Sequence, residues 1–182
     1  MKILNSIFPG SKFSHVNFLS VRAADIQEAL NQFPYTFTDY AEDRKELWRN
    51  TYLQWYPQVI HLGRDIQVPA GIPVHSPVDG VIDDVWRDND TDLGWGTRID
   101  IVTDTSRVIL GHLMNVNCRV GRAVKKGEIL GLVGDRSRNG NCFEHLHIQT
   151  CINPYPLADD SRKIDGYGGL KELQYHFDPF DL

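Results

Sequence analysis

The sequence predicts a mainly β fold, a compact antiparallel β sandwich or barrel. Two observations carry this prediction. From Pro57 to about Ile152 the apolar residues fall in short segments instead of at helical spacing, and Gly, Pro, Asn and Asp separate these segments. Many short strands joined by tight turns are typical of a sandwich or barrel.

The N-terminal part has a different, helical pattern. Residues 1 to about 20 give only short apolar pieces, but from Ser20, a plausible cap, apolar residues recur at helical spacing until Pro34. A second helix is expected from a cap at Thr38 or Asp39 to Trp55, with charged residues 42 to 46 as its solvated side. Residues 1 to 56 are therefore predicted to be an N-terminal helical extension.

The β region contains eight predicted strand segments. They are Val59-Ile60, Ile66 to Val68, Val74, Val81-Ile82, Arg98 to Val102, Val108 to Leu110, Ile129 to Val133, and His145 to Thr150. Together they define a predicted domain over residues 57 to 152. Residues 153 to 182 are rich in Pro, Gly and charge, and are expected to form a tail packed on this domain.

Composition limits the partners and the compartment. The chain has 182 residues with 19 basic and 24 acidic side chains, and its net charge of -5 with no basic run argues against nucleic acid. No apolar run approaches the roughly 20 residues that span a bilayer, so no membrane span is expected. The first ten residues are too interrupted for a signal peptide, and three cysteines without Cys-x-x-Cys spacing fit a reduced compartment. We therefore expect a cytoplasmic protein, unless export takes another route.

The stretch from Glu144 to Gln149 contains two histidines, His145 and His147, in a predicted strand. Side chains alternate across a strand, so both imidazoles point to one face. Such a pair can bind one metal ion, or one ring can bind it while the other acts on the chemistry above it. A His-x-His pair alone also occurs on solvated sheet surfaces, so further ligands are needed.

His61 and Asp65 lie four residues apart. Gly63 and the following apolar run favour a turn or bulge entering a strand, and a bulge can aim the two side chains toward one point. Asp65 offers an anionic oxygen. With two neutral imidazoles it would make a three-ligand site whose fourth position is open to water, which is the pattern of catalytic zinc.

The third element is Gly111-His112-Leu113, whose histidine, His112, follows the strand Val108 to Leu110. In this order, the motifs His61-x-x-x-Asp65, Gly111-His112-Leu113 and His145-Leu146-His147 resemble the three-motif pattern of the lysostaphin-type metallopeptidases, zinc endopeptidases that cut peptidoglycan peptides. Intervening phrases are also similar to the family's, namely those over residues 68–74, 77–82, 94–96 and 124–131. The resemblance covers about residues 57 to 150 and implies the family's duplicated hybrid motif fold.

The resemblance also implies a set of roles. His61, Asp65 and His147 would hold one zinc ion per chain, while His112 and His145 would be catalytic and face water and substrate. The implied reaction is hydrolysis of a peptide bond, in peptidoglycan-type peptides, by metal-activated water. Which of His112 and His145 is the base stays open.

Two readings from other classes stay open beside the enzyme. One is a non-catalytic relative that binds a peptide or a partner. The other is a histidine phosphoryl-carrier-like module, against which Asp65 argues because a carrier does not need it. Departures from the family pattern at Leu110, at Glu144 and in the loop from Gly134 to Phe143 are expected to line the cleft, whereas His15, His75 and His176 are expected to be structural.

Overall fold

The computed structural model describes residues 2–16, 35–48, 52–87, 94–139 and 142–182. These ranges contain two short α-helices, α1 (Lys2–Ile7) and α2 (Leu170–Leu173), and thirteen strands. The strands are β1 (Ser14–His15), β2 (Thr36–Phe37), β3 (Ile60–His61), β4 (Gly63–Gln67), β5 (Pro73–His75), β6 (Gly80–Arg87), β7 (Thr97–Val102), β8 (Ser106–Met114), β9 (Ala123–Val124), β10 (Ile129–Val133), β11 (His145–Ile152), β12 (Tyr167–Gly168) and β13 (His176–Phe177). Every predicted strand segment overlaps one of them.

Eleven strands form one sheet along the path β1-β2-β4-β11-β8-β7-β6-β9, with β10 paired to β5 and β8, and β13 paired to β11. Strands β3 and β12 form a second, two-stranded sheet. Apart from the parallel pair β1 and β2, the strands pair antiparallel. The predicted mainly β, antiparallel class is confirmed, and within the described residues the path stays open instead of closing into a barrel.

The centre of the large sheet is β11, which lies between β4 and β8. Its apolar residues Leu146 and Ile148 are fully buried in the main core, where Ile66 of β4 and Leu110 of β8 join them. Because side chains alternate across a strand, His145, His147 and Gln149 point to the other face. One face of β11 thus packs on the apolar core, and the opposite face presents the two histidines and Gln149.

The N-terminal extension differs from its predicted helical form. The helix expected from Ser20 to Pro34 lies outside the described residues. The second expected helix is wrong over residues 38–48, which contain an isolated bridge from Asp43 to Ile60 and a turn at 45–48. A single 3-10 turn follows at Tyr52–Trp55. Thr38 does not cap a helix because its Oγ1 accepts from the backbone N–H of Asp65 and from Arg44. The described α1 was not predicted, since six residues are too few to show helical periodicity.

Both flanking segments pair with the central domain. From the N-terminal side, β2 pairs antiparallel with β4. From the C-terminal side, β12 pairs with β3 and β13 pairs with β11. The flanks therefore add strands beside the elements that carry the histidines. Among the described residues, no helix has the length and apolar character needed to cross a bilayer.

Candidate metal centre

Three side-chain atoms from three strands meet at one point. Nε2 of His61 lies 3.1 Å from Nδ1 of His147 and 3.3 Å from Oδ1 of Asp65, and His147 Nδ1 lies 3.2 Å from the same oxygen. All three residues are buried. The structure thus brings together the three residues that the sequence nominates as metal ligands.

The strand register produces this convergence. His147 of β11 is directly opposite Asp65 of β4, so their side chains share one face. His61 ends β3, and β4 begins at Gly63. Leu62 belongs to neither strand, and its N–H donates to the carbonyl of Gly166. The expected bulge is therefore a break between two strands, and Asp65 lies inside the second strand.

Gly63 allows the close approach of β4 to β11. A Cβ at this position would lie 2.4 Å from the carbonyl oxygen of Ile148 and 2.9 Å from the His147 ring. Real Cβ atoms do not approach backbone oxygen so closely, so any larger residue must displace the strand or the ring. The glycine between His61 and Asp65 therefore belongs to the geometry of the cluster.

The spacing of the three atoms fits a tetrahedral metal ion. Zinc binds imidazole nitrogen and carboxylate oxygen at about 2.0 to 2.1 Å, which makes the edge between two ligand atoms of a tetrahedron about 3.3 Å. The measured edges are 3.1, 3.2 and 3.3 Å. Two imidazoles and one carboxylate are also a donor set that zinc accepts.

Hydrogen bonds on the far side of His147 fix which nitrogen carries its proton. Nε2 of Gln149 donates to the carbonyl of Asp165 at 3.0 Å and approaches Nε2 of His176 at 2.8 Å, so the amide oxygen of Gln149 accepts from His147 Nε2 at 3.0 Å. His176 Nδ1 in turn donates to the carbonyl of Glu172 at 2.9 Å. His147 therefore carries its proton on Nε2 and turns the lone pair of Nδ1 toward Asp65 and His61.

His145 is fixed in the complementary way. Its Nδ1 donates to the carbonyl of Phe143 at 2.7 Å, so its Nε2 carries the lone pair. That nitrogen lies 3.6 Å from Oδ1 of Asp65, at the edge of the cluster. The residue therefore presents a proton acceptor beside the three ligand atoms.

His112 lies against His145, with ring centroids 4.4 Å apart. Its backbone has a φ of +62°, in the left-handed region that side chains rarely adopt. The strained residue is held on both sides, because its N–H donates to the carbonyl of Trp95 and its carbonyl accepts from the N–H of Gly134. Such outliers cluster at functional sites, where the surrounding structure enforces them.

Burial favours the neutral form of three imidazoles of the site, those of His61, His112 and His145. It lowers the pKa of His61 to about 3, with a further contribution from the charge of Arg44. Burial also lowers the pKa of His112 and of His145. Burial disfavours the carboxylate of Asp65, but the positive charges of His61, when that ring is protonated, and of Arg44 hold its pKa well below its usual value. At neutral pH these groups are in the deprotonated forms that bind metal ions.

The cluster lies in a cavity of about 180 Å³. Trp48 of the N-terminal segment, Trp95, and Gly166 and Tyr167 of the C-terminal tail contribute to its walls. Two residues of the loop expected to line the cleft, Asn139 and Cys142, do so.

The expectations for Glu144 and Leu110 are wrong. The carboxylate of Glu144 accepts from the N–H of Ala70 at 2.7 Å, which anchors a turn, and Leu110 is fully buried in the core. Neither residue lines the cavity.

The sequence did not reveal several residues of the site. Glu42 and Arg44, expected on a solvated helix face, are buried beside Asp65. Gln149 lies two residues after His147 in the same strand, so the alternation of side chains could have placed it on the same face as both histidines. His176, expected to be structural, approaches the ligand set only through Gln149, and nothing in the sequence links the two positions.

A family profile described as Peptidase family M23 matches residues 59–158 of this chain. The chain belongs to peptidase family M23. This is a family of hydrolases, and the matched range contains His61, Asp65, His112, His145 and His147. The peptidase family suggested by the three motifs is thereby confirmed.

Two curated members of the family are similar over 116 residues. The chain is 33% identical to the glycyl-glycine endopeptidase ALE-1 of Staphylococcus capitis, over 59% of this chain and 30% of that protein. It is 32% identical to lysostaphin of Staphylococcus staphylolyticus, over 60% of this chain and 23% of that protein. The matches therefore cover less than a third of the length of these relatives.

Solved structures of the family share the fold. The catalytic domain of the antimicrobial peptidase lysostaphin from Staphylococcus simulans has a TM-score of 0.57 at 23% identity, covering 85% of this chain and 94% of that one. The catalytic domain of the prophage-encoded M23 protein EnpA from Enterococcus faecalis has a TM-score of 0.50 at 26% identity, covering 66% of this chain and 82% of that one. The fold of M23 catalytic domains thus extends beyond the range of the family match.

Proposed function

We propose that this chain is a zinc-dependent endopeptidase that hydrolyses a peptide bond in peptidoglycan-type peptides. One observation carries the proposal. Nε2 of His61, Oδ1 of Asp65 and Nδ1 of His147 form a buried triangle with edges of 3.1 to 3.3 Å. In this proposal these three atoms hold one zinc ion, and His112 and His145 act on water and substrate.

The metal and the protein side chains contribute different parts of the chemistry. A bound zinc ion acts as a Lewis acid, which makes water a nucleophile at neutral pH and polarises a carbonyl group. Proton transfer is left to the protein. A positioned imidazole with a pKa near or below neutral is suited to it, and such general catalysis contributes about 10² to 10⁴-fold in rate.

His145 is proposed to be the proton acceptor. Its Nδ1–H is held by the carbonyl of Phe143, so the lone pair of Nε2 faces the cluster. As the water oxygen bonds to the carbonyl carbon, Nε2 takes one of its protons. It then passes this proton to the leaving nitrogen while the C–N bond breaks, which gives a carboxylic acid and an amine.

His112 is proposed to stabilise the oxygen that becomes negative during attack. Its ring stacks on Trp95 with centroids 6.0 Å apart, adjoins His145 and lines the cavity, which supports a role beside the substrate. A neutral imidazole can donate one N–H to that oxygen. The strained backbone of His112 would then serve to aim this donor.

Two observations support glycine-containing peptidoglycan bridges as the substrate class. One similar relative is named a glycyl-glycine endopeptidase. The cavity of about 180 Å³ also has bulky walls, formed by Trp48, Trp95 and Tyr167, which favour residues with small side chains. Peptides of glycine are therefore the first substrates to test.

Metal content and peptide cleavage test the proposal together. The purified chain is expected to contain one zinc ion, which Asp65→Ala and His147→Ala should each remove. The exposed residue His15 provides a control, since His15→Ala lies outside the cluster and should keep both the metal and the activity. The wild-type protein should cleave pentaglycine faster than pentaalanine.

Two results would contradict the proposal. If zinc does not bind even after incubation with an excess, the metal site is refuted. If zinc binds but neither synthetic peptides nor peptidoglycan are cleaved, the hydrolase is refuted in favour of a non-catalytic peptide-binding relative.

A further inference from the structure

Arg44 contacts the metal-binding carboxylate from the side opposite the histidines. Its Nη1 donates to Oδ2 of Asp65 at 2.6 Å, whereas Oδ1 of the same carboxylate lies in the triangle with His61 and His147. The two oxygens of Asp65 are thus divided between an arginine and the proposed metal position. Arg44 lies outside the range that matches the family.

Arg44 is itself held from two more directions. Its Nε and Nη2 donate to Oε2 of Glu42 at 2.9 and 2.8 Å, and Nη2 donates to Oγ1 of Thr38 at 3.1 Å. The side chains of Arg44 and Glu42 are only 4% and 2% exposed. Nη1 also donates to the hydroxyl of Tyr167 at 3.4 Å, and a buried guanidinium that reaches two carboxylates and two hydroxyls has little freedom to move.

The segment that carries Arg44 is registered on the strand of Asp65. Thr36 and Phe37 of β2 pair with Gln67 and Ile66 of β4. Beyond β2, the N–H of Thr38 donates to the carbonyl of Asp65 at 3.0 Å, and Thr38 Oγ1 accepts from the N–H of Asp65 at 3.0 Å. The backbone of Asp65 and its second oxygen are therefore bound by the same N-terminal segment.

We propose that Arg44 is a positioning residue for the metal centre, which occupies Oδ2 of Asp65 so that only Oδ1 is presented to the ion. The inference rests on the proposed metal site. It adds that residues 36 to 44, outside the family match, complete that site.

Charge and geometry both favour this role over a purely structural one. With their carboxylates ionised, Glu42 and Asp65 together outweigh the single positive charge of Arg44, so the cluster keeps a negative charge for a cation. A carboxylate with both oxygens free can bind a metal ion through either or both. Removing a residue that hydrogen-bonds to a metal ligand and fixes its orientation commonly lowers the metal affinity about 10 to 100-fold.

Cobalt provides a test that does not depend on catalysis. The metal-free full-length chain is titrated with Co²⁺ in competition with a chelator, and its visible spectrum is recorded at saturation. The variants are Arg44→Gln, and Arg44→Lys, which keeps the charge but loses the planar fork. The matched control is Arg107→Gln, because Arg107 is buried and pairs with the buried Asp100 and the exposed Asp83 away from the cavity.

Both Arg44 variants should bind cobalt at least about tenfold more weakly than the wild type. Their spectra at saturation should lose intensity, because a freed Asp65 can add its second oxygen and raise the coordination number. Arg107→Gln should keep the affinity and the spectrum even if it lowers the melting temperature. If Arg44→Gln does not fold, Arg44→Lys decides the question.

The two levels of the proposal fail differently. If the wild-type chain does not bind cobalt, the metal site is refuted, and this inference with it. If the wild type binds cobalt and the folded Arg44 variants match its affinity within twofold and keep its spectrum, only the positioning role is refuted.

Discussion

Replacing Gln149 with leucine should damage both stability and metal binding. Gln149 is fully buried, and its amide contacts three groups: Nε2 of His147, the carbonyl of Asp165 and Nε2 of His176. Leucine has a similar volume and no polar atoms. The substitution therefore leaves a buried donor on His147, a buried acceptor on His176 and the part-buried carbonyl of Asp165 without their present partner, while it creates little cavity.

The magnitude follows from these three groups. A buried polar group left unsatisfied costs about 1 to 3 kcal/mol. Some relaxation is expected because Asp165 lies at the edge of the cavity. We therefore expect Gln149→Leu to lower the free energy of unfolding by about 3 to 6 kcal/mol, which a domain of typical stability, about 5 to 15 kcal/mol, can survive.

Metal affinity should fall as well. Without Gln149 the Nε2–H of His147 loses the acceptor that it has among the described residues, so part of the population presents a protonated Nδ1 to the metal position. A loss of about 10 to 100-fold in cobalt or zinc affinity is expected. Urea denaturation of the metal-free protein measures the first effect, and chelator competition measures the second.

Gln67 provides the matched control. It is a buried glutamine on the neighbouring strand, and its Oε1 accepts one hydrogen bond, from Thr36 at 2.7 Å. Its Nε2 has no partner among the described residues. Gln67→Leu leaves the hydroxyl of Thr36 without its acceptor, but it also removes a buried amide nitrogen that has no partner in the described part of the chain. The two effects oppose each other, so the substitution should cost no more than about 1 kcal/mol and leave the metal affinity unchanged. The reasoning is refuted if Gln149→Leu is as stable as Gln67→Leu and binds metal as tightly as the wild type.

Three further predictions follow from the structure. Gly63→Ala places a Cβ 2.4 Å from the Ile148 carbonyl oxygen and should cost about 1 to 3 kcal/mol in thermal unfolding, whereas Gly169→Ala, whose Cβ would have 3.6 Å of space, should cost less. Burial raises the pKa of Cys151 from 9.0 to about 12. The unfolded chain therefore loses this thiol proton at lower pH than the folded chain, and the free energy of unfolding falls as pH rises from 9.0 to about 12. In Cys151→Ala this fall should be shallower by about 1.4 kcal/mol per pH unit. An unchanged slope would contradict the raised pKa of Cys151. His145→Ala should keep one metal ion per chain while kcat falls about 10² to 10⁴-fold, and a variant with full activity would exclude His145 as the proton acceptor.

Eight of the thirteen described strands were predictable because their signals are local, and the five motif residues could be nominated from their order along the chain. Turn residues bound each strand, and the alternation of His145 and His147 fixes the face on which both lie. A break at Leu62 and the register of β4 on β11 complete the cluster, and Gly63 was the only visible sign of that close approach. Short-range sequence patterns therefore predict most of the strands in the central region, residues 57 to 152.

The flanking contributions could not be predicted in the same way. Residues 42 to 46 look like one solvated face because they are all charged, yet Glu42 and Arg44 are buried. Their segment lies along β3, where the carbonyl of Glu42 accepts from the N–H of His61 and the N–H of Arg44 donates to the carbonyl of Val59. His176 reaches the cluster through a pairing of β13 with β11 that only the tertiary structure creates. Both cases depend on contacts between residues that are far apart in the sequence, and no local pattern encodes them.

The most direct test of the metal site is anomalous scattering at the zinc edge from crystals of the zinc-loaded chain. The account predicts a single peak about 2.0 to 2.1 Å from Nε2 of His61, Nδ1 of His147 and Oδ1 of Asp65, with Oδ2 of Asp65 still bound to Arg44. A peak elsewhere, or one bound through other atoms of these residues, would contradict it.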